Sequence, residues 1–137
     1  MTPARLVLDA GPLIALFFTK DHDHEVVREG FARLIATRTS FIVSSAILLE
    51  ASKRLFFLEG RQVMRQATAV MLNQFNILDV NQQELRQALD TTNQRVDWNG
   101  TLEDAIVANL AMQLKVPLWT MNYRDLAAFN QLEFWNP

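Results

Sequence analysis

The stretch Arg5-Leu6-Val7-Leu8-Asp9-Ala10-Gly11-Pro12-Leu13-Ile14-Ala15 limits the folds open to this chain more than any other. Leu6, Val7 and Leu8 form a short, β-prone apolar run, as suits a strand buried on both faces. Asp9 follows where such a strand would end. Gly11 permits a tight turn, and Pro12 suits the first turn of a helix, where its missing N–H leaves no bond unmade. The order is strand, carboxylate, turn, helix. In open α/β sheets ligands bind beyond the carboxyl ends of the strands, where Asp9 is expected. The plain alternative is that Asp9 only caps the next helix. Against it, a charge set beside an apolar strand needs a partner.

The rest of the chain repeats this alternation. Leu13–Phe18 is expected as a short helix, followed by the polar link Asp21-His22-Asp23-His24. Glu25–Thr37 places Val27, Phe31, Leu34 and Ile35 at helical spacing, with Arg28, Arg33 and Arg38 largely opposite. Phe41–Val43 is the second strand, and Ser44 and Ser45 are good caps for a helix over Ala46–Leu58 that Gly60 would stop. Arg61–Phe75 predicts another helix, with Val63, Ala67, Val70 and Met71 on one stripe. Asn76–Val80 is the third strand. Asn81 and Glu84 stand at capping-box spacing before a helix carrying Leu85, Ala88, Leu89 and Val96. Asp97-Trp98-Asn99-Gly100 is a turn. Thr101 and Asp104 repeat the capping spacing ahead of Leu102–Leu114. Val116–Thr120 supplies a fourth strand and Arg124–Phe129 a last short helix; Leu132–Trp135 adds an edge strand or a docked tail. The economical arrangement is α/β: a three-layer α/β/α fold with a central, mainly parallel sheet of four or five strands.

Composition excludes several classes. The 137 residues contain no cysteine, which removes disulfides and thiolate metal sites. The length fits a single domain over residues 1–137 with a real core. No apolar run approaches the roughly 20 residues of a membrane helix. The N-terminus lacks the long apolar segment of a secretory signal, so a cytoplasmic protein is expected. A net charge of −2 argues against a broad basic surface for nucleic acid, but not against an acidic metal centre flanked by local arginines. There is no Gly-rich dinucleotide fingerprint, no phosphate loop and no Gly-x-Ser-x-Gly elbow.

What remains is acids at the ends of elements. Asp9 ends the first strand, and Glu50 lies in the helix after the second. Asp104 lies in the first turn of the helix after Gly100. Asn122, with Asp125 behind it, follows the fourth strand. If the strands run parallel, these side chains collect at one edge. Each has a plainer role available: Glu50 could pair with Arg54 at i,i+4, Asp104 could only complete a capping box with Thr101, and Asn122 and Asp97 could only shape turns. Glu50 has apolar helical neighbours in Ala46, Ile47 and Phe57, which places it at the border of the buried face. Asp21, His22, Asp23 and His24 carry transition-metal donors, but acids ahead of a helix are already favoured by its positive end.

In order and spacing, four blocks resemble the PIN-domain ribonucleases, and especially the toxin halves of VapC-type toxin–antitoxin pairs. They are Leu8–Leu16, Ser45–Glu50, Leu102–Ala108 and Leu118–Leu126, and together the resemblance spans almost the whole chain. It implies that Asp9, Glu50 and Asp104 are the central catalytic and metal-binding acids. The family's fourth acid falls where this chain has Asn122, and Asp97, shortly before the third block, is the candidate in its place. Thr120 matches a hydroxyl residue that lines such sites.

The activity implied is RNA hydrolysis with Mg²⁺ or Mn²⁺, leaving a 5′-phosphate and a 3′-hydroxyl. Hard divalent ions prefer such oxygen ligands. The partners implied are an RNA substrate and a small antitoxin that covers the acidic site. Some of the many large apolar residues, Phe56, Phe57 and Phe75 among them, are expected to form a groove for an antitoxin helix or a homodimer contact, with core packing of all of them as the alternative. Two other functions fit the same residues: a PIN-type RNA-processing nuclease without an antitoxin, and a binding or scaffold protein that has lost catalysis.

Overall fold

The computed structural model describes residues 1–137. Its elements run β1 (Arg5–Leu8), α1 (Ala10–Phe17), α2 (His24–Ala36), β2 (Ser40–Ser44), α3 (Ser45–Glu59), α4 (Arg61–Gln74) and β3 (Asn76–Leu78). There follow α5 (Gln82–Gln94), α6 (Leu102–Leu114), β4 (Leu118–Trp119) and α7 (Tyr123–Leu126). The four strands form one parallel sheet in the order β3-β2-β1-β4, with helices flanking it. Leu6, Val7 and Leu8 have no exposed surface, as their unbroken apolar run predicts. The order doubles back at β1, since β2 and β3 lie on one side and β4 on the other. Sheets of this kind open a crevice at such a reversal, beyond the carboxyl ends of the strands.

The core fills with residues of both helical layers and the sheet. Trp119 is fully buried, its ring 4.8 Å from Phe31 and 5.0 Å from Trp135. Phe75 packs 5.4 Å from Phe41 and 6.3 Å from Phe31, so it is a partly buried aromatic set against the core. Phe56 and Phe57, by contrast, stay exposed on α3.

Several boundaries differ from those the sequence predicts. Helix α1 begins at Ala10 rather than Leu13, because the Asp9 carboxylate caps it at once. Gly11 lies inside that helix. A Cβ there would approach Met121 Cγ to 2.7 Å, so close packing, not a turn, requires the glycine. Helix α5 ends at Gln94 and leaves Val96 almost fully exposed; of its expected apolar stripe only Ala88 is buried, while Leu85 and Leu89 are exposed. Asn81 caps that helix through the Glu84 N–H, without the reciprocal bond of a full box. Ile35 and Val70 also face out. Periodicity identifies a helix face but not whether anything covers it.

Strand β4 is only Leu118–Trp119, and β3 stops at Leu78. The C-terminal segment docks beside β4 through a single parallel bridge from Leu118 to Phe134, so the fifth strand shrinks to one residue pair. Helix α7 stops at Leu126, short of Phe129.

Candidate active site

Four chain segments meet at the sheet's carboxyl edge. Asp9 leaves β1 and is buried against α1, where its Oδ1 accepts the Ala10 N–H at 2.8 Å. Its Oδ2 accepts the Thr120 hydroxyl at 2.6 Å, just past β4. Register explains the meeting: Leu8 pairs with Trp119, and the Asp9 N–H donates to the Trp119 carbonyl at 3.0 Å. Thr120 Oγ1 also accepts the Asn122 N–H at 2.9 Å, which fixes the turn behind it. Burial pushes the Asp9 carboxyl above its ordinary range. The bonds from Thr120 and Ala10 oppose that shift, and repulsion from Asp104 adds to it.

Glu50 arrives from the second segment. Ser44 ends β2 and caps α3 through the Ala46 N–H at 3.2 Å, and Ser45 Oγ accepts the Val80 N–H at 3.0 Å. Glu50 is half-buried, and its carboxyl is pushed up to about 7, by burial first and then by Asp9, Glu103 and Asp104. It forms no ion pair with Arg54. The i,i+4 partner is not what holds it.

Asp104 does two things at once. It completes the capping box of α6, with its Oδ2 accepting the Thr101 N–H at 2.9 Å and its N–H donating to Thr101 Oγ1 at 3.2 Å. The same Oδ2 faces the Asn122 amide, whose Nδ2 lies 3.4 Å away, while that Nδ2 donates to Asp125 Oδ2 at 3.1 Å. The capping role and a place in the acid cluster coexist.

These groups line a cavity of about 390 Å³ that contains Asp9, Glu50, Asp104 and Asp125, the amides of Asn99 and Asn122, and no lysine, arginine or histidine. Asp97 is exposed in its turn and lies outside this lining. Asp125 supplies the fourth carboxylate there. The sequence carries a signal for it, since position i+3 from Asn122 in a helix's first turn brings a side chain back over the cap. Asn99 had no such signal. Trp98 holds this side of the site together: its Nε1 donates to the Asp125 carbonyl at 2.8 Å and its ring meets Phe129 edge-on at 5.3 Å.

The donor set suits a hard divalent cation. Every charged group in the cavity is a carboxylate, and burial first, then the neighbouring acids, push Asp9 and Glu50 above their ordinary range. The other cluster of metal donors joins an exposed His22 to two half-buried acids, His22 Nε2 lying 3.4 Å from Asp23 Oδ2 and His22 Nδ1 4.0 Å from Asp21 Oδ1. His24 is turned away from it, its Nδ1 lying 2.7 Å from the Ala15 carbonyl oxygen.

The PIN domain family model matches residues 6–131. No curated protein matches the sequence. Among solved structures, the chain is similar to Mycobacterium tuberculosis VapC20, described as a sarcin–ricin loop cleaving toxin. The TM-score is 0.82 at 17% identity, covering 96% of this chain and 99% of that one. DNA-bound VapBC from Salmonella typhimurium aligns with a TM-score of 0.72 at 15% identity, covering 97% and 98%. VapBC-1 from nontypeable Haemophilus influenzae aligns at 0.70 and 18%, covering 96% and 97%. At these identities the likeness establishes the fold.

Proposed function

The chain belongs to the PIN domain family, and from that premise we propose that residues 1–137 act as a single Mg²⁺- or Mn²⁺-dependent endoribonuclease domain. The observation that carries the reading is the gathering of Asp9, Glu50, Asp104 and Asp125 in one cavity lined by no basic side chain, at the reversal of strand order. Asp9, Glu50 and Asp104 are the ligands and catalytic acids, Asp125 takes the fourth place instead of Asp97, and Thr120 and Asn122 position them. A divalent ion bound there would supply Lewis acidity and neutralise charge on the phosphate. The chain's own part is orientation. Thr120 and the Ala10 N–H hold both Asp9 oxygens, and the Thr101 N–H and Asn122 amide hold Asp104 Oδ2.

Asn122 is a neutral donor between two carboxylates, where an aspartate would add a further charge. In the net reaction water's oxygen bonds to phosphorus, the bond from phosphorus to the 3′-oxygen breaks, and that oxygen takes a proton. The products are a 5′-phosphate and a 3′-hydroxyl.

We further propose that the protein is the toxin of a toxin–antitoxin pair in the cytoplasm, its acidic cavity covered by a small antitoxin. The likeness to VapC20 and to VapBC assemblies supports this, as do exposed apolar residues such as Phe56 and Leu89, which suit a protein contact or a homodimer. No helix is long and apolar enough to cross a membrane. The test is cleavage of cellular RNA by the purified chain with Mg²⁺ or Mn²⁺. It should stop with EDTA and in Asp9→Ala, and undiminished cleavage in either case rejects the mechanism. Co-purification with the product of an adjoining small gene tests the pairing.

A further inference from the structure

A second cavity, of about 560 Å³, adjoins the acidic one and shares Glu50 with it. Its lining on α3 is Ala46, Leu49, Glu50, Lys53, Arg54 and Phe57, with Glu103 opposite. Those α3 residues recur at spacings of three and four, so they form one stripe along the helix. From Glu50 to Phe57 the stripe covers about 10 Å of axis. Lys53 and Arg54 are exposed, make no ion pair and donate no hydrogen bond. Phe57 is 68% exposed and Leu49 66%.

We propose that this stripe binds single-stranded RNA next to the bond being cut, Lys53 and Arg54 holding backbone phosphates and Phe57 stacking on a base. This rests on the nuclease reading above and assigns the substrate track to particular residues. Charge is the first argument. A cavity with four carboxylates repels a polyanion, and the chain carries net charge −2, so attraction must come from cations placed locally. Lys53 and Arg54 are such cations, and they border the acid cavity through Glu50 itself. The second argument is the ring. An exposed aromatic beside unpaired cations is the combination that grips single strands without reading sequence, because every base has a stacking face. A protein occupant would use Phe57 and Leu49 equally well, but it gives no reason for two cations without an ion-pair partner in the same stripe.

The test uses a labelled single-stranded RNA of mixed sequence, with anisotropy measured in EDTA so that no cleavage occurs, and with salt titrated. Lys53→Ala/Arg54→Ala should weaken binding at least ten-fold and reduce the salt slope by about 1.4, two phosphates at about 0.7 each. Phe57→Ser should weaken binding by about five-fold or more, and Phe57→Trp should restore it. Melting temperatures should hardly change, since all three side chains are exposed. Wild-type affinity and slope in the double variant and in Phe57→Ser would overturn the proposal. So would variants that keep RNA binding but lose a co-purifying protein partner. Wild-type cleavage with Mg²⁺ or Mn²⁺ is measured alongside. If the wild type does not cleave while the variants lose RNA, the track stands and the nuclease reading fails. If it cleaves and the variants bind unchanged, the reverse holds.

Discussion

Thr120 donates its hydroxyl to Asp9 Oδ2 at 2.6 Å, joining residues 111 positions apart in the chain. That bond links the chain just past β1 to the chain just past β4, beyond the backbone pairing of the two strands. It is also one of only two hydrogen bonds that the buried Asp9 carboxylate receives. Thr120→Val keeps the shape and removes the donor. Leaving a buried carboxylate oxygen without a partner should cost about 1–3 kcal/mol and push the Asp9 carboxyl further up. Cleavage should fall sharply, and Thr120→Ser should retain most of it. A Thr120→Val protein as active and as stable as wild type would remove Thr120 from the site.

The acid cluster sets a pH dependence. Glu50 sits at about 7 in the metal-free fold against an ordinary 4.5. Below 4.5 both folded and unfolded chains hold this proton, and there is no penalty. As pH rises from 4.5 to about 7 the unfolded chain releases it first, so folded stability falls, and above that the loss is complete. The raised Asp9 acts with the same sign. Glu50 is partly exposed, so solvent screening should reduce its share to about 1–2 kcal/mol. Urea midpoints in EDTA between pH 4.5 and 8, wild type minus Glu50→Gln, should show this decline. A flat difference would mean the charges do not converge.

Asp104→Asn separates cap from cluster. The capping box would weaken, while repulsion on Asp9 and Glu50 would ease. The two effects oppose each other at about 0.5–1 kcal/mol apiece, so metal-free stability should move by less than about 1 kcal/mol. Activity should be lost, and Mg²⁺ should raise the melting temperature less than in wild type. A clearly less stable but fully active variant would confine Asp104 to the cap.

Asp97 and Asp125 make a paired test. Asp125 lines the cavity and accepts from Asn122 Nδ2, whereas Asp97 is exposed outside it. Asp125→Asn should lower cleavage at least ten-fold, and Asp97→Asn should leave it within about two-fold, a change near the surface-substitution range of ±0.5 kcal/mol. The opposite ranking would restore Asp97 as the fourth acid.

Gly100→Ala probes the scaffold. A Cβ at Gly100 would fall within the Trp98 ring, so the indole must swing out and give up its bond to the Asp125 carbonyl and its edge contact with Phe129. Misplaced packing of this kind costs about 1–3 kcal/mol. The variant should melt earlier, cleave more slowly and show more solvent-exposed tryptophan emission. Unchanged emission with unchanged activity would mean Trp98 does not hold this edge of the site.

Local rules settled much of this protein. The apolar run Leu6–Leu8 dictated a buried strand, and serine, threonine and asparagine caps dictated where helices start, because these effects act over a few residues. Alternation of strand and helix then dictated a parallel sheet, and a parallel sheet carries the ends of its strands, with Asp9 and Thr120, to one edge.

Tertiary structure decided whatever depends on which surfaces meet. Phe75 became partly buried against the core while Phe57 stayed exposed, although both are phenylalanines near helix ends, because only Phe75 faces Phe31 and Phe41 across the layer. Asp125 entered the cavity, on the helix to whose backbone Trp98 is hydrogen-bonded, while Asp97 stayed exposed outside it. Glu50 passed over the arginine one turn away in favour of a repulsive cluster. A carboxylate's field reaches several ångströms in every direction, so its partners are set by distance in space, and sequence separation does not report that distance.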